Sequence, residues 1–301
     1  DFDKLALAIN EKTRAVIVNS PNNPTGVVLS EETIVRLCDI LKKAEKEYGH
    51  PVYLISDEPY RELVYADVEV PYLMNYYDNT LVCYSYSKSL SLPGERIGYT
   101  LVSPKCADYA ELTGAIVLSN RTLGSVNAPA IWQRVIEKSI YAKVDVANYE
   151  NRRNLLYSNI VDAGFDAVKP NGALYIFMNT PKGLEDGEFA AICAKHNLLL
   201  VKGSSFARPG YCRLAFCVSE VSIRNSRKAF YAVAEELGIK GFKKMDKDTL
   251  VYAILDEEAK KNALNAPEKP ERRRQNKTRK GEKPAKPAKD ESEAKVEEEV
   301  K

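Results

Sequence analysis

Lys88 ends the run Ser85-Tyr86-Ser87-Lys88, and Arg96 follows in Glu95-Arg96-Ile97-Gly98. A primary amine forms an imine with an aldehyde, and hydroxyls with a guanidinium hold a phosphate dianion. Ser85, Ser87, Lys88 and Arg96 therefore offer what an aldehyde cofactor with a phosphate tail requires. Two polar clusters precede them, Asn22-Asn23-Pro24-Thr25-Gly26 and Asp57-Glu58-Pro59-Tyr60. Two follow, Gly203-Ser204-Ser205-Phe206 and Gly210-Tyr211-Cys212-Arg213-Leu214. Read singly, each has an ordinary explanation. Lys88 is a solvated charge, the Asn23 segment a turn, Asp57 a strand-end cap, Tyr60 a packed aromatic and Arg213 a surface ion-pair residue. The first three clusters fall at the ends of predicted strands.

The elements that must position these residues show in the apolar runs. Ala15 to Asn19 is a short β-branched run that stops at Ser20-Pro21, so a strand and a sharp loop are predicted. Ser30 with Glu31 and Glu32 reads as an N-cap and acidic first turn, and Ile34, Leu37, Cys38, Leu41 and Ala44 recur at helical spacing up to Gly49. Val52 to Ser56, Leu81 to Ser85 and Gly98 to Ser103 are further strand candidates. The alternation predicts an α/β domain with a mostly parallel sheet covered on both faces. In such sheets chemistry sits at the carboxyl ends of the strands. Beyond a long helical stretch over 128–163, shorter strands are expected over 173–177, 198–201 and 212–216. A helix with Ile223, Phe230, Val233 and Leu237 on one face should close at Gly238. A large domain over 1–150 and a smaller α+β domain over 151–238 follow.

The pattern S-x-S-K, seven residues, then R-x-G resembles the lysine signature of class I/II (fold type I) aminotransferases, which use pyridoxal 5′-phosphate (PLP). The Asn23 cluster resembles that family's N-P-T-G loop and the Asp57 cluster its D-E-x-Y segment. The resemblance implies that Lys88 forms the internal aldimine and acts as general acid and base, while Ser85, Ser87 and Arg96 hold the cofactor phosphate. It implies that Asp57 keeps the pyridine nitrogen protonated and that Asn23 and Tyr60 meet the phenolic oxygen. Arg213, with Asn23 beside the substrate, is implied to pair bidentately with the α-carboxylate. Asn120-Arg121-Thr122-Leu123-Gly124 and Asn127-Ala128-Pro129 resemble a segment that approaches a neighbouring subunit, so a homodimer is implied. Gly172-Ala173-Leu174-Tyr175 is similar to the family's G-A-F-Y strand, a run that core packing explains equally well. The resemblance covers about residues 1–238 and is strongest to the aspartate branch. Complete members carry an upstream phosphate loop and a ring-stacking aromatic. With Asp1 first and Met74 the first methionine, an N-terminal truncation is expected.

Composition bounds the remainder. The 301 residues are 45% hydrophobic and 29% charged, enough for two domains and a tail. No run of 18 apolar residues or signal-peptide pattern occurs, so the chain reads as soluble and cytoplasmic. The six cysteines form no C-x-x-C pair and read as reduced thiols without a metal. A net charge of +2 is too small for a nucleic-acid surface over the whole protein. Residues 265–301 hold 12 Lys/Arg, 9 Asp/Glu and no aromatic, and are expected to be disordered. Residues of about 234–264 resemble the N-terminal helical module of transcription terminator Rho, with Asp248 capping a helix over 239–264. Nucleic acid is a partner only through 239–301, where Arg272-Arg273-Arg274, Lys277, Arg279 and Lys280 cluster. The leading function is transamination between an amino acid and a 2-oxo acid. The alternatives are a PLP-dependent lyase, or an inert enzyme domain carrying a nucleic-acid-binding segment.

Overall fold

The computed structural model describes residues 1–239. The helical module expected over 239–264, beyond Ile239, and the tail over 265–301 lie outside the described residues.

The chain enters through α1 (Phe2–Ala8) and β1 (Ala15–Asn19), then builds α2 (Glu31–Tyr48), β2 (Tyr53–Asp57), β3 (Thr80–Ser85), the one-turn α3 (Tyr86–Ser89) and β4 (Gly98–Val102). These strands form one sheet in the order β1-β2-β3-β4, parallel except for the antiparallel β4. The register pairs Asn19 with Asp57 and Asp57 with Cys83, which brings the carboxyl ends of β1, β2 and β3 side by side. α2 forms where its pattern predicts. Ser30 accepts from the Thr33 N–H at 3.2 Å, and Gly49 ends the helix in the left-handed region at φ 69°. Ile34, Leu37, Cys38, Leu41 and Ala44 pack with Val52, Leu54, Leu73 and Tyr77 in one core.

Only one sheet face receives that cover at β1. Ile17 lies on the other face, 71% exposed, so the two-sided coverage predicted from the apolar runs is not met there by any described element.

α4 (Tyr109–Thr122), α5 (Ala130–Ser139) and α6 (Val146–Asp162) follow. The predicted long helical stretch is thus two helices. Asp145 starts α6 by accepting from the Asn148 N–H at 3.0 Å. α4 buries no side chain, and Leu118, Leu123, Ile131 and Tyr141 are 66%, 82%, 69% and 92% exposed. A second sheet of β5 (Tyr175–Asn179), β6 (Val201–Lys202) and β7 (Tyr211–Ala215) is antiparallel in the order β5-β7-β6. β5 begins two residues later than the apolar run because Ala173 sits at φ 56°, outside strand geometry. The strand predicted over 198–201 contracts to Val201–Lys202. α7 (Asp186–Lys195) and α8 (Glu220–Glu236) complete this region. Ile223, Phe230, Val233 and Ala234 of α8 are buried in a second core, which also takes in Tyr60, Leu63 and Tyr65.

Candidate active site

Three loops leave the aligned strand ends, and each is fixed by its own residues. After β1, Asn22 Oδ1 accepts from the Thr25 N–H at 3.2 Å and from the Thr25 hydroxyl at 2.7 Å. The Gly26 N–H donates to Asn22 O at 2.8 Å, closing the turn, and the Ser20–Pro21 and Asn23–Pro24 bonds are cis. Gly26 has φ +69°, and a Cβ there would stand 2.3 Å from Pro170 Cβ and 2.7 Å from Tyr175 O. The loop therefore lies directly against the β5 region, and only glycine allows it.

After β2, side chains alternate. Ser56 and Glu58 are buried, with Ser56 Oγ donating to Glu58 Oε1 at 2.7 Å and Arg61 Nε to Glu58 Oε2 at 2.5 Å. Arg61 also donates to Val70 O and Pro71 O. Asp57, between them, projects to the opposite face. There Asn19 Nδ2 donates to Asp57 Oδ2 at 3.1 Å and to Asp57 O at 2.9 Å. Burial, and then the charge of Glu58, raises the Asp57 carboxyl above its ordinary pKa.

After β3, Ser85 caps α3 by accepting from the Ser87 N–H at 3.1 Å, and its hydroxyl donates to Ser87 Oγ at 2.7 Å. One helical residue on, Lys88 Nζ lies 5.9 Å from the centroid of the Tyr60 ring. Tyr60 is buried, and its hydroxyl is 3.0 Å from that of Tyr175 on β5. Burial first, and then the Tyr175 hydroxyl, pushes the Tyr60 phenol far above its ordinary value. Arg213 on β7 donates from Nη1 to Asn23 Oδ1 at 2.8 Å. Its guanidinium lies 4.4 Å from the Tyr175 ring centroid and 4.8 Å from that of Phe206, and its Nε is buried with no partner.

Of the residues singled out in the sequence, Lys88, Tyr60, Asp57, Asn23 and Arg213 are thus joined through one network. Its links run Lys88, Tyr60, Tyr175, Arg213, Asn23, and then Asn19 to Asp57, with the Asn23 N–H donating to Asn19 Oδ1 at 2.7 Å. Ser85 and Ser87 are one turn away and bonded to each other. Arg96 is not drawn in. It is exposed at φ 53°, and its guanidinium donates to Pro93 O at 2.7 Å rather than to either serine. Asn19 escapes a reading by motif, because it looks like the last residue of a strand; its signal was an amide closing a β-branched run. Tyr175 ends the family-like run Gly172-Ala173-Leu174-Tyr175, but core packing explained that run equally well and no site role was assigned to it.

Comparison with known proteins identifies the family. The family described as aminotransferase class I and II matches residues 1–230, and the N-terminal domain of Rho termination factor matches residues 228–263. The Rho match begins inside α8, whose Phe230, Val233 and Ala234 are fully buried in the second core. An aspartate aminotransferase of Thermotoga maritima is 32% identical over 211 residues, covering 69% of this chain and 52% of that protein. A probable aspartate/prephenate aminotransferase of Thermus aquaticus is 30% identical, covering 76% of this chain and 59% of that protein. A crystal structure of an amino transferase from Eubacterium rectale superposes with TM-score 0.77 at 45% identity, covering 81% of this chain and 60% of that one. A tetra mutant of the Thermus thermophilus aspartate aminotransferase, a fold type I enzyme, superposes with TM-score 0.67 at 29% identity, covering 77% of this chain and 63% of that one. The chain thus spans half to three-fifths of the curated relatives it matches. With fold type I structural neighbours and a family match over residues 1–230, the chain belongs to the PLP-dependent class I and II aminotransferases.

Proposed function

We propose that this chain carries the cofactor site of an enzyme that moves an amino group between an amino acid and a 2-oxo acid, with Lys88 as the residue that binds PLP. The observation that carries the reading is the network that links Lys88, Tyr60, Arg213, Asn23 and Asp57 at the carboxyl ends of three parallel strands. The donor set suits the cofactor. Asp57 has an amide for company and a raised pKa, an environment that a cationic ring nitrogen would relieve. Arg213 has a buried Nε without a partner, where a carboxylate oxygen would be welcome.

When bound, PLP supplies an electron sink for negative charge developing at the substrate Cα. Lys88 Nζ would hold the cofactor aldehyde and would serve as the base that takes and returns the proton at the substrate Cα. Asp57 Oδ2 would hold the proton on the ring nitrogen, and Tyr60 Oη and Asn23 would donate to the phenolic oxygen. Arg213 receives the α-carboxylate through Nε and a terminal nitrogen, the bidentate fork that favours arginine. Ser85 and Ser87 would offer hydroxyls to the phosphate, and Arg96 would hold it with them only if its guanidinium left Pro93 O.

Borohydride reduction of the full chain mixed with PLP should fix the cofactor to the peptide containing Lys88, and Lys88→Ala should abolish the label while leaving the circular-dichroism spectrum unchanged. Labelling at a different lysine rules the assignment out. Release of ammonia or carbon dioxide from an amino acid, without need of a 2-oxo acid, would mark a lyase instead.

A second reading concerns residues 239–301. The match to the Rho N-terminal domain and the basic run from Arg272 support nucleic-acid binding there. The open apolar surface around Leu118, Leu123 and Ile131 supports a homodimer.

A further inference from the structure

Tyr175 sits in a buried run where phenylalanine would fill the same volume, so its hydroxyl requires an explanation. That hydroxyl is 3.0 Å from the hydroxyl of Tyr60, and the two rings meet edge to face at 83° with centroids 5.9 Å apart. On the same sheet face, β5 and β7 pair Tyr175 with Ala215 and Phe177 with Arg213. Arg213 is therefore the diagonal cross-strand neighbour of Tyr175, within reach of a long side chain. Its guanidinium lies 4.4 Å from the Tyr175 ring centroid while Nη1 holds Asn23 Oδ1. One side chain thus touches both the phenol beside Lys88 and the cation across the site.

We propose that Tyr175 is a positioning residue whose hydroxyl sets the donor strength of Tyr60 and whose ring seats Arg213 for a carboxylate. The inference rests on the reading that Lys88 and Tyr60 face PLP. Tyr60 has a single proton to give. If it donates to the cofactor's phenolic oxygen, the bond between the two phenols must run from Tyr175 to Tyr60. A donor hydrogen-bonded in this way is polarised and donates more strongly. Removing the Tyr175 hydroxyl weakens Tyr60, leaves the phenolic oxygen more basic, and keeps the proton on Lys88 Nζ to higher pH. The ring acts separately, as a face under the guanidinium.

The two halves are separable with Tyr175→Phe, which keeps the ring, and Tyr175→Leu, which keeps neither. In the full chain loaded with PLP, Tyr175→Phe should raise the pH midpoint of the cofactor's visible band by about 0.2–0.5 unit. The same change in a Tyr60→Phe background should leave the midpoint where Tyr60→Phe alone puts it. In the cofactor-free chain, Tyr175→Leu should weaken binding of succinate, a carboxylate probe, about three- to thirtyfold, with Phe restoring wild-type affinity. Urea midpoints of Tyr60→Phe, Tyr175→Phe and the double variant, also without cofactor, should be non-additive. An unchanged band midpoint in Tyr175→Phe, an equal shift in both backgrounds, or wild-type succinate affinity in Tyr175→Leu overturns the proposal. If the wild-type chain forms no band and borohydride labels no Lys88, the PLP reading has failed. The succinate and urea measurements, which need no cofactor, then decide the role of Tyr175.

Discussion

Asp57 carries opposing demands. Burial and the Glu58 charge raise its carboxyl pKa, so the folded chain disfavours the ionised form. As pH rises past the ordinary carboxylate value, the unfolded chain ionises first. Stability is therefore lost through the window between that value and the raised one, and does not return above it. Asp57→Asn should raise the melting temperature of the cofactor-free chain at pH 7, with the gain vanishing in acid below the unfolded carboxylate's range. The amide cannot keep a ring nitrogen protonated. Losing a charge-assisted bond of roughly 1.5–3 kcal/mol in the transition state should slow proton transfer in the active enzyme by about one to two decades. A variant both more stable and slower would mark Asp57 as held for chemistry, whereas wild-type turnover in Asp57→Asn would remove it from the mechanism.

The loop after β1 is useful only if it lies close to β5, and Gly26 permits that approach. A methyl group at Gly26 meets Pro170 Cβ, Tyr175 O and Gly172 O at 3.0 Å or less and must also adopt a positive φ. Gly26→Ala should cost about 2–4 kcal/mol from backbone strain and overpacking combined. The Gly26 carbonyl accepts from the Asn171 and Gly172 N–H groups, so the displacement also shifts Asn23 away from Arg213. Denaturant midpoints read the stability, and succinate affinity, which depends on where Arg213 is held, reads the displacement. Gly49→Ala makes a useful control, because no atom lies within 4 Å of its would-be Cβ and the strain there is that of φ alone.

At the scale of the molecule, the proposed division into 1–150 and 151–238 cuts through one compact unit, and Tyr60, Leu63 and Tyr65 from the first segment sit in the core of the second. Local unfolding of either segment should therefore disturb the site, and the Tyr65 and Ala173 amides, which donate across that junction to Asn171 O and Leu63 O, should be protected from hydrogen exchange together. Residues 265–301 carry 12 basic and 9 acidic residues, a local charge of +3. Removing them should leave PLP loading intact and abolish any salt-sensitive RNA retention, with each phosphate contact contributing about one unit to the log-log salt slope. Loss of cofactor loading on deletion would make the tail part of the enzyme. Unchanged RNA retention would leave the basic run a solvated linker.

The sequence by itself determined what depends on neighbours along the chain. Ser30 and Gly49 delimit α2 because caps are local, and Asn22, Thr25 and Gly26 close their turn with their own hydrogen bonds. Lys88, Asp57, Tyr60 and Asn23 could be picked out because each sits in a short motif at a strand end, and Arg213, inside β7, because its stretch resembles one of the family's. What only the tertiary structure decided is what crosses between segments. The apolar run before β5 hides the left-handed Ala173, imposed where the chain meets Leu63 and Gly26. Asn19 reaches Asp57 only through the β1–β2 register, and Tyr175 reaches Tyr60 across 115 residues of chain. Arg96 shows the reverse case, a motif residue whose side chain turns to its own loop. Motifs record which groups are near in sequence, whereas register and sheet packing decide which of them meet.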